Sequence, residues 1–117
     1  MVTDQLFDAR TELVLEALGD RSRRLILGLL AERPRPVGEL AAELPVTRPA
    51  VSLHLKVLRE AGLVADTPVG TRRIYRLDPD GLELLRTFLD RLWTGALDRF
   101  AAAAEAAADA EHRKENR

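Results

Sequence analysis

Two short helical patterns separated by a break of three or four residues limit the folds open to this chain more than any other feature. The first pattern covers residues 38–44, and the second runs from residue 48 to about 61. Pro45 disfavours helix at the residue before it, and Thr47 is a favourable N-cap for the second helix, with Pro49 in its first turn. The pattern therefore predicts two helices joined by a tight turn.

The hydrophobic period changes after Gly62 from helical to strand-like. Residues 63–65 form one short extended run, residues 74–77 form another, and residues 69–71 lie between them as a turn. Pro68 ends the first run at a position that a central strand would not accept. We therefore expect a small β-hairpin with one edge open to solvent.

Helical patterns also flank this central region. One covers residues 6–18, and a second, capped by Asp20 or Ser22, ends before Pro34. A long last helix begins near Asp78 and becomes rich in alanine. The chain is thus predicted to be mainly α with a small β-hairpin, in the order of four helices, two strands and a fifth helix.

Length and composition restrict both the organisation and the chemistry. With 117 residues and no cysteine, the chain fits a single domain, over residues 1–110, followed by a charged flexible tail at 111–117. No apolar run is long enough to cross a membrane and no leader peptide is visible, so we expect a cytoplasmic protein. Since no phosphate-binding loop, metal cluster or nucleophile with a base appears, we expect neither an enzyme nor a cofactor.

The net charge of −1 conceals opposed segments. The net charge is −4 over residues 1–20, +2 over 21–46, +4 over 47–76 and −3 over 77–117. A basic centre between acidic ends is typical of a surface that contacts nucleic acid, although solvated helix faces would give the same distribution.

Two helices joined by a tight turn and followed by a basic hairpin form a helix-turn-helix with a wing. Over about residues 15–80 the chain resembles the ArsR-type winged-helix transcriptional repressors. The resemblance rests on the segments ALGDRSRRLILGLL, VGELAAELPVTRPAVSLHLKVLREAGLV and GTRRIYRLDP, in this order and spacing. It implies a homodimer, joined through the terminal helices, that binds a palindromic operator in double-stranded DNA. The long last helix is similar to that of the metal-independent autorepressor branch.

The second helix of the motif has one face that packs and another that is predicted to read DNA. Its first turns suit base edges in the major groove, where Arg48 can pair with guanine through two hydrogen bonds. Lys56 and Arg59 lie further along and are expected to meet phosphates. The alternative is a solvated polar face. The predicted DNA contacts are Ser22, Arg23, Thr47, Arg48, Pro49, Ser52, Leu53, Lys56, Arg59, Arg72 and Arg73.

Four of these positions carry explicit alternatives. Leu53 stands where the family often has a polar residue, and it either extends the core, the preferred interpretation, or touches a thymine methyl group. Arg72 and Arg73 alternate along a strand, so only one of them need face DNA. Arg23 either lies near a phosphate or forms salt bridges with the acidic first helix.

The last helix is apolar over more than half of its circumference, and its own domain can cover only one side. The other side predicts a second copy of the chain, with an intramolecular fit of the first helix as the alternative. The predicted dimer interface consists of Leu6, Phe7, Leu13, Val14, Leu85, Phe88, Leu89, Leu92, Trp93, Ala96, Leu97 and Phe100.

Metal sensing has little support in the sequence. His54 lies on the packing face of its helix with no second metal-type residue at i+3 or i+4, and Asp90 and Asp98 are interpreted as solvated acids. A repressor with an oxygen-only metal site remains one alternative, and a winged-helix interaction module without DNA binding is another. An effector, either a small molecule or a protein, is left open, because no motif identifies it.

Overall fold

The computed structural model describes residues 7–115, which form five helices and a three-stranded antiparallel sheet. In chain order the elements are α1 (Ala9–Ala17), α2 (Arg21–Glu32), β1 (Arg35–Pro36), α3 (Val37–Glu43), α4 (Arg48–Glu60), β2 (Val64–Val69), β3 (Arg72–Leu77) and α5 (Pro79–Glu115). The five helices and the hairpin agree with the prediction, and β1 is an addition to it.

Three helices begin at side chains that cap them. The carboxylates of Asp8 and Asp20 accept hydrogen bonds from the backbone N–H groups of Thr11 and Arg23, at 2.8 and 3.1 Å. Thr47 Oγ1 accepts one from Ala50 N at 3.3 Å. Each side chain satisfies one N–H that a helix N-terminus leaves unpaired. The hydrogen bond from Arg23 N holds the pKa of Asp20 below its usual range.

The sheet has the strand order β1–β3–β2, so β3 is central. Asp66 pairs with Tyr75 across the hairpin, and Pro36 pairs with Ile74 on the other side of β3. The prediction of an edge strand at Pro68 is confirmed, and β1 adds a third strand that the sequence analysis did not include. The segment at residues 34–36 was interpreted only as a helix stop, whereas two of its residues also add a strand.

The core lies between α1–α4 and the start of the hairpin. Its buried apolar residues are Val14, Ala17, Ile26, Leu30, Leu40, Val51, Leu55, Leu58, Ala61, Leu63 and Val64. Within residues 7–115, none of the helices combines the length and the apolar character that a membrane span needs.

A buried arginine links three elements beside this core. The side chain of Arg35 is 4% exposed, and its Nη1 donates to Glu43 Oε1 at 2.8 Å while its Nη2 pairs with Glu32. The ion pairs connect the end of α2, β1 and α3. Removing either glutamate would leave the buried guanidinium of Arg35 with one partner fewer, and this lowers the free energy of unfolding.

Only the start of α5 packs on the domain. Leu82, Leu84 and Leu85 contact the core, and the Phe88 ring lies 5.5 Å from that of Phe7. Every side chain from 101 to 115 is exposed, and the molecule measures 80 Å along its longest axis. Helix α5 continues to Glu115 and so passes residue 111, where the flexible tail was predicted to begin. The division into a domain and a tail stays a prediction.

The loop after α4 touches the first turn of α5 backbone to backbone. Gly62 has a φ of +78°, a conformation that favours glycine, and its carbonyl accepts a hydrogen bond from Gly81 N at 2.8 Å. A Cβ on Gly81 would lie 2.3 Å from Gly62 O and 2.9 Å from Leu63 N. The end of α4 and the start of α5 are therefore held together at a contact that leaves no room for a side chain.

This contact predicts the effect of Gly81→Ala. Although alanine favours helix, the new methyl group would overlap backbone that cannot rotate away, and we expect the free energy of unfolding to fall by about 1–3 kcal/mol. Gly28→Ala in α2 is the matched control, since nothing lies within 4 Å of its added Cβ. That change is expected to stabilise by up to about 1 kcal/mol. Urea denaturation of both variants measures the two effects, and equal shifts would contradict the close packing.

Candidate nucleic-acid interface

Helix α4 has the two faces that its sequence predicts. Val51, Leu55 and Leu58 are buried, and His54 is half-buried between them. The exposed residues of the helix and its cap are Thr47, Arg48, Pro49, Ser52, Leu53, Lys56, Val57, Arg59 and Glu60. Because Thr47 caps the helix through its own hydroxyl, the first turn begins at a defined residue and its polar side chains project from a rigid frame.

Leu53 differs from its preferred interpretation. Its side chain is 67% exposed, so it does not extend the core. At about 100° per residue it stands on the border between the two faces, and the packing in this structure places it with the polar one. An exposed leucine on the predicted reading face is the arrangement that contact with a thymine methyl group requires.

A cleft of about 370 Å³ separates the start of α4 from the wing, here defined as the β2–β3 hairpin. Its lining residues are Pro36, Val37, Gly38, Arg48, Thr71, Arg72, Arg73 and Tyr75. Arg48 Nη1 lies over Gly38, 4.0 Å from where a Cβ on that residue would stand. The structure therefore brings one predicted base-reading arginine and both wing arginines to the same cleft.

The exposed cations of this surface differ in whether they have a partner. Arg48, Lys56 and Arg72 form no ion pair with any residue of the described chain 7–115. Arg59 and Arg73, by contrast, both bind the carboxylate of Asp66. Of these five cations, three are thus available to bind an anion of another molecule. The other two already share the carboxylate of Asp66.

The predicted contacts at the start of α2 have a structural role in this molecule. Arg23 Nε donates to Ala17 O at 2.7 Å and its Nη2 donates to Glu16 O at 3.2 Å, both at the C-terminal end of α1. Neither of the two predicted interpretations of Arg23, a phosphate contact or salt bridges to acids, describes these bonds. Ser22 is half-buried beside it.

Five of the twelve predicted dimer residues form an exposed apolar face on α5. Trp93 is 66% and Phe100 73% exposed, and Leu89, Leu92 and Leu97 lie between or beside them. Phe7 and Leu13 extend this face onto α1 and the residues before it, while Phe88 and Ala96 are half-buried.

Two of the predicted interface residues belong elsewhere, and one is not described. Val14 is completely buried in the core of its own chain, so its assignment to the interface was wrong. Leu85 is half-buried and packs on the same core. Helical spacing shows which residues share a face but not what covers that face. Leu6 lies outside the described residues.

Sequence reasoning missed two charged residues that organise this region. Asp66 lies two residues after the buried Val64 in β2, and its spacing to Arg59 and Arg73 carries no recognisable motif. Arg35 was not singled out, although its place between two prolines next to a predicted helix start could have suggested a structured segment. Within residues 7–115, no group of three His, Asp or Glu side chains is placed to hold a metal ion.

Known proteins share parts of this sequence and its fold. The profile of a family described as "Bacterial regulatory protein, arsR family" matches residues 20–66, which run from the cap of α2 into β2. The HTH-type transcriptional regulator Rv2034 of Mycobacterium tuberculosis is 62% identical over 86 residues, which cover 74% of this chain and 80% of that protein.

Solved structures show the same architecture. An ArsR-like transcriptional regulator from Rhodococcus sp. RHA1 is 35% identical and superposes with a TM-score of 0.73, covering 85% of this chain and 93% of that one. The homodimeric winged helix-turn-helix DNA-binding domain of Mb0332 from Mycobacterium bovis, a possible ArsR-family transcriptional regulator, is 30% identical with a TM-score of 0.59. This match covers 74% of the present chain and 79% of the other.

Proposed function

The chain belongs to the ArsR family of bacterial regulatory proteins and is a DNA-binding transcriptional regulator, and we propose that it acts as a homodimeric repressor on a palindromic operator. The observation that carries the proposal is the position of Arg48, exposed and without an ion pair in the described chain, at the start of a helix that presents its polar face to solvent. The family and its relatives are regulators rather than enzymes, which agrees with the prediction from the sequence.

The exposed face of α4 is proposed to enter the major groove. Arg48, Ser52 and Leu53 lie on its first turns, where a recognition helix meets base edges. Lys56 lies one turn further on, where the helix leaves the bases and passes the phosphates. Arg72 at the wing supplies a second, separate contact with the backbone or the minor groove.

The exposed face of α5 is proposed to pair with the same face of a second chain. A contiguous apolar surface of this kind is uncommon on a monomer in water, and burying it in a two-fold interface removes it from solvent. The relative from M. bovis is described as homodimeric, which supports this arrangement. Two-fold symmetry presents two α4 helices to DNA, and this requires two operator half-sites in inverted orientation.

Repression needs only occupation of the operator. The described residues 7–115 form one winged helix-turn-helix and its long helix. Binding over a promoter would block access to it without any additional surface. The proposal places this activity in the cytoplasm, where bacterial DNA lies.

The proposal is tested by a gel shift of full-length protein on the DNA upstream of its own coding sequence. We expect a discrete complex that contains two chains and survives an excess of random-sequence competitor, since specific binding typically exceeds nonspecific binding by at least about 10³-fold. A complex that random DNA removes as readily as unlabelled specific DNA would overturn the proposal.

A further inference from the structure

One carboxylate joins the recognition helix to the wing. Asp66 Oδ1 accepts from Arg59 Nη1 of α4 at 3.3 Å, and its other oxygen pairs with Arg73 Nη1 of β3. The Asp66 side chain is 8% exposed, whereas those of the two arginines are more than half exposed. We call these three residues the Asp66 clamp.

The sheet register explains why the clamp forms. Asp66 pairs with Tyr75, so Arg73, two residues before Tyr75, is the diagonal neighbour of Asp66 on the same face of the sheet. Arg72 falls on the opposite face. The hydrogen bond from Arg73, aided by that from Arg59, holds the pKa of Asp66 below its usual range. The carboxylate is therefore ionised at neutral pH and occupies both arginines.

The clamp changes the electrostatics of the surface that meets DNA. Nonspecific affinity rises with the number of phosphates that cations neutralise, whatever the base sequence. Arg59 and Arg73 each already pair with the carboxylate of Asp66. A DNA phosphate must therefore displace this carboxylate or share the arginine with it. Arg48, Lys56 and Arg72 face no such competition in the described chain.

We propose that Asp66 is a specificity-determining residue, which holds Arg59 and Arg73 away from phosphates and so limits binding to DNA of unrelated sequence. By joining α4 to β3 it also fixes the wing relative to the recognition helix. This inference rests on the proposed function, since it concerns how the same surface discriminates between DNA sequences.

The test compares Asp66→Asn with Glu60→Gln in the full-length protein. Both variants remove one negative charge, but Glu60 is exposed at the end of α4 and forms no ion pair within residues 7–115. Fluorescence anisotropy measures binding to the operator and to a random duplex at a series of salt concentrations. Thermal unfolding shows whether each variant is folded under the assay conditions.

For Asp66→Asn we expect affinity for the random duplex to rise about tenfold at low salt, and the salt slope to steepen by about one to two units as two arginines become free. Affinity for the operator is expected to change less, so that the ratio of operator to random affinity falls at least about fivefold. Glu60→Gln is expected to leave the slope unchanged. Equal slopes for the two variants, or an unchanged affinity ratio, would overturn the proposal.

Arg59→Gln keeps the proposal testable if Asp66→Asn does not fold. Because Arg59 is an exposed residue whose charge the clamp already occupies, we expect its loss to change the salt slope by less than about half a unit. A decrease of about one full unit would show that Arg59 binds phosphate and would overturn the clamp. If the unaltered protein binds no operator, the proposed function fails; if it binds normally and these variants give the contrary results, only the clamp fails.

Discussion

Trp93→Asp is expected to convert the protein from a dimer to a monomer and to weaken operator binding at least about hundredfold. Trp93 lies at the middle of the exposed apolar face of α5 and contributes little to the core of its own chain. A carboxylate there would be buried against the apolar face of the second chain without a partner, which is costly. Each monomer would then hold one half-site, and the gain from linking two recognition helices would be lost.

Thr94→Asp is the matched control for this change. It places the same charge one residue further along α5, on the side of the helix that also carries Asp90 and Asp98, and should leave both the dimer and its DNA affinity unchanged. Light scattering at micromolar concentration should give twice the chain mass of 13.0 kDa for the unaltered protein and for Thr94→Asp, and a single chain mass for Trp93→Asp. A folded monomer in all three samples would remove the argument for the dimer.

Arg48→Ala is expected to cost about 1–3 kcal/mol on the operator, which is a loss of about five- to 150-fold in affinity, and little on random DNA. An arginine that makes two hydrogen bonds to guanine discriminates among bases, so its removal relaxes specificity. The same cation held by a phosphate would support binding to every sequence alike. Loss of a base contact therefore lowers the ratio of operator to random affinity, whereas loss of a phosphate contact leaves that ratio unchanged.

Lys56→Ala provides the comparison within the same helix. Lys56 also lacks an ion pair in the described part of the chain, and it stands nearer the end of α4. Its removal should weaken binding to both DNAs equally and reduce the salt slope by about one unit. Titrations at two salt concentrations assign both residues. If Arg48→Ala leaves the affinity ratio unchanged, base readout lies with Thr47, Ser52 and Leu53 or with DNA shape.

The local signals in the sequence were sufficient for the helices and for most of the recognition surface. Thr47 and Pro49 define where α4 begins, and the spacing of Val51, Leu55 and Leu58 determines which face is buried. These features act within one or two turns of helix, so they can be read without the rest of the fold. The sequence left two interpretations of Leu53 open and favoured the core, because the residue stands at the border of two faces, where angle alone does not decide; its exposure contradicts the core interpretation.

The features that sequence reasoning missed depend on contacts between distant segments. Strand β1 has two residues, too few to show alternation, and it exists because Pro36 and Arg35 meet Ile74 and Tyr75 of β3. The Asp66 clamp likewise depends on how the hairpin lies against α4. A charge in a short strand gives no sign of its partner until the register is known.

The contact between Gly62 and Gly81 has the same origin. Gly62 was recognised as the end of a helix, but nothing near Gly81 showed that its missing side chain makes room for the backbone of another element. Val14 illustrates the converse error. It was assigned to the dimer interface because its face of α1 is apolar, but residues of its own chain cover that face. Periodicity predicts a buried face and leaves the identity of its neighbour undetermined.

Selection of binding sites from a random DNA library by the full-length protein tests the central claim most directly, because it assumes nothing about the operator. Two α4 helices related by a two-fold axis should enrich an inverted repeat whose half-sites are centred about 10 base pairs apart, or a multiple of that spacing. Enrichment by Arg48→Ala should lose preference at one position in each half-site. Recovery of a single unrepeated site, or no enrichment at all, would contradict the account of a dimer that reads DNA through α4.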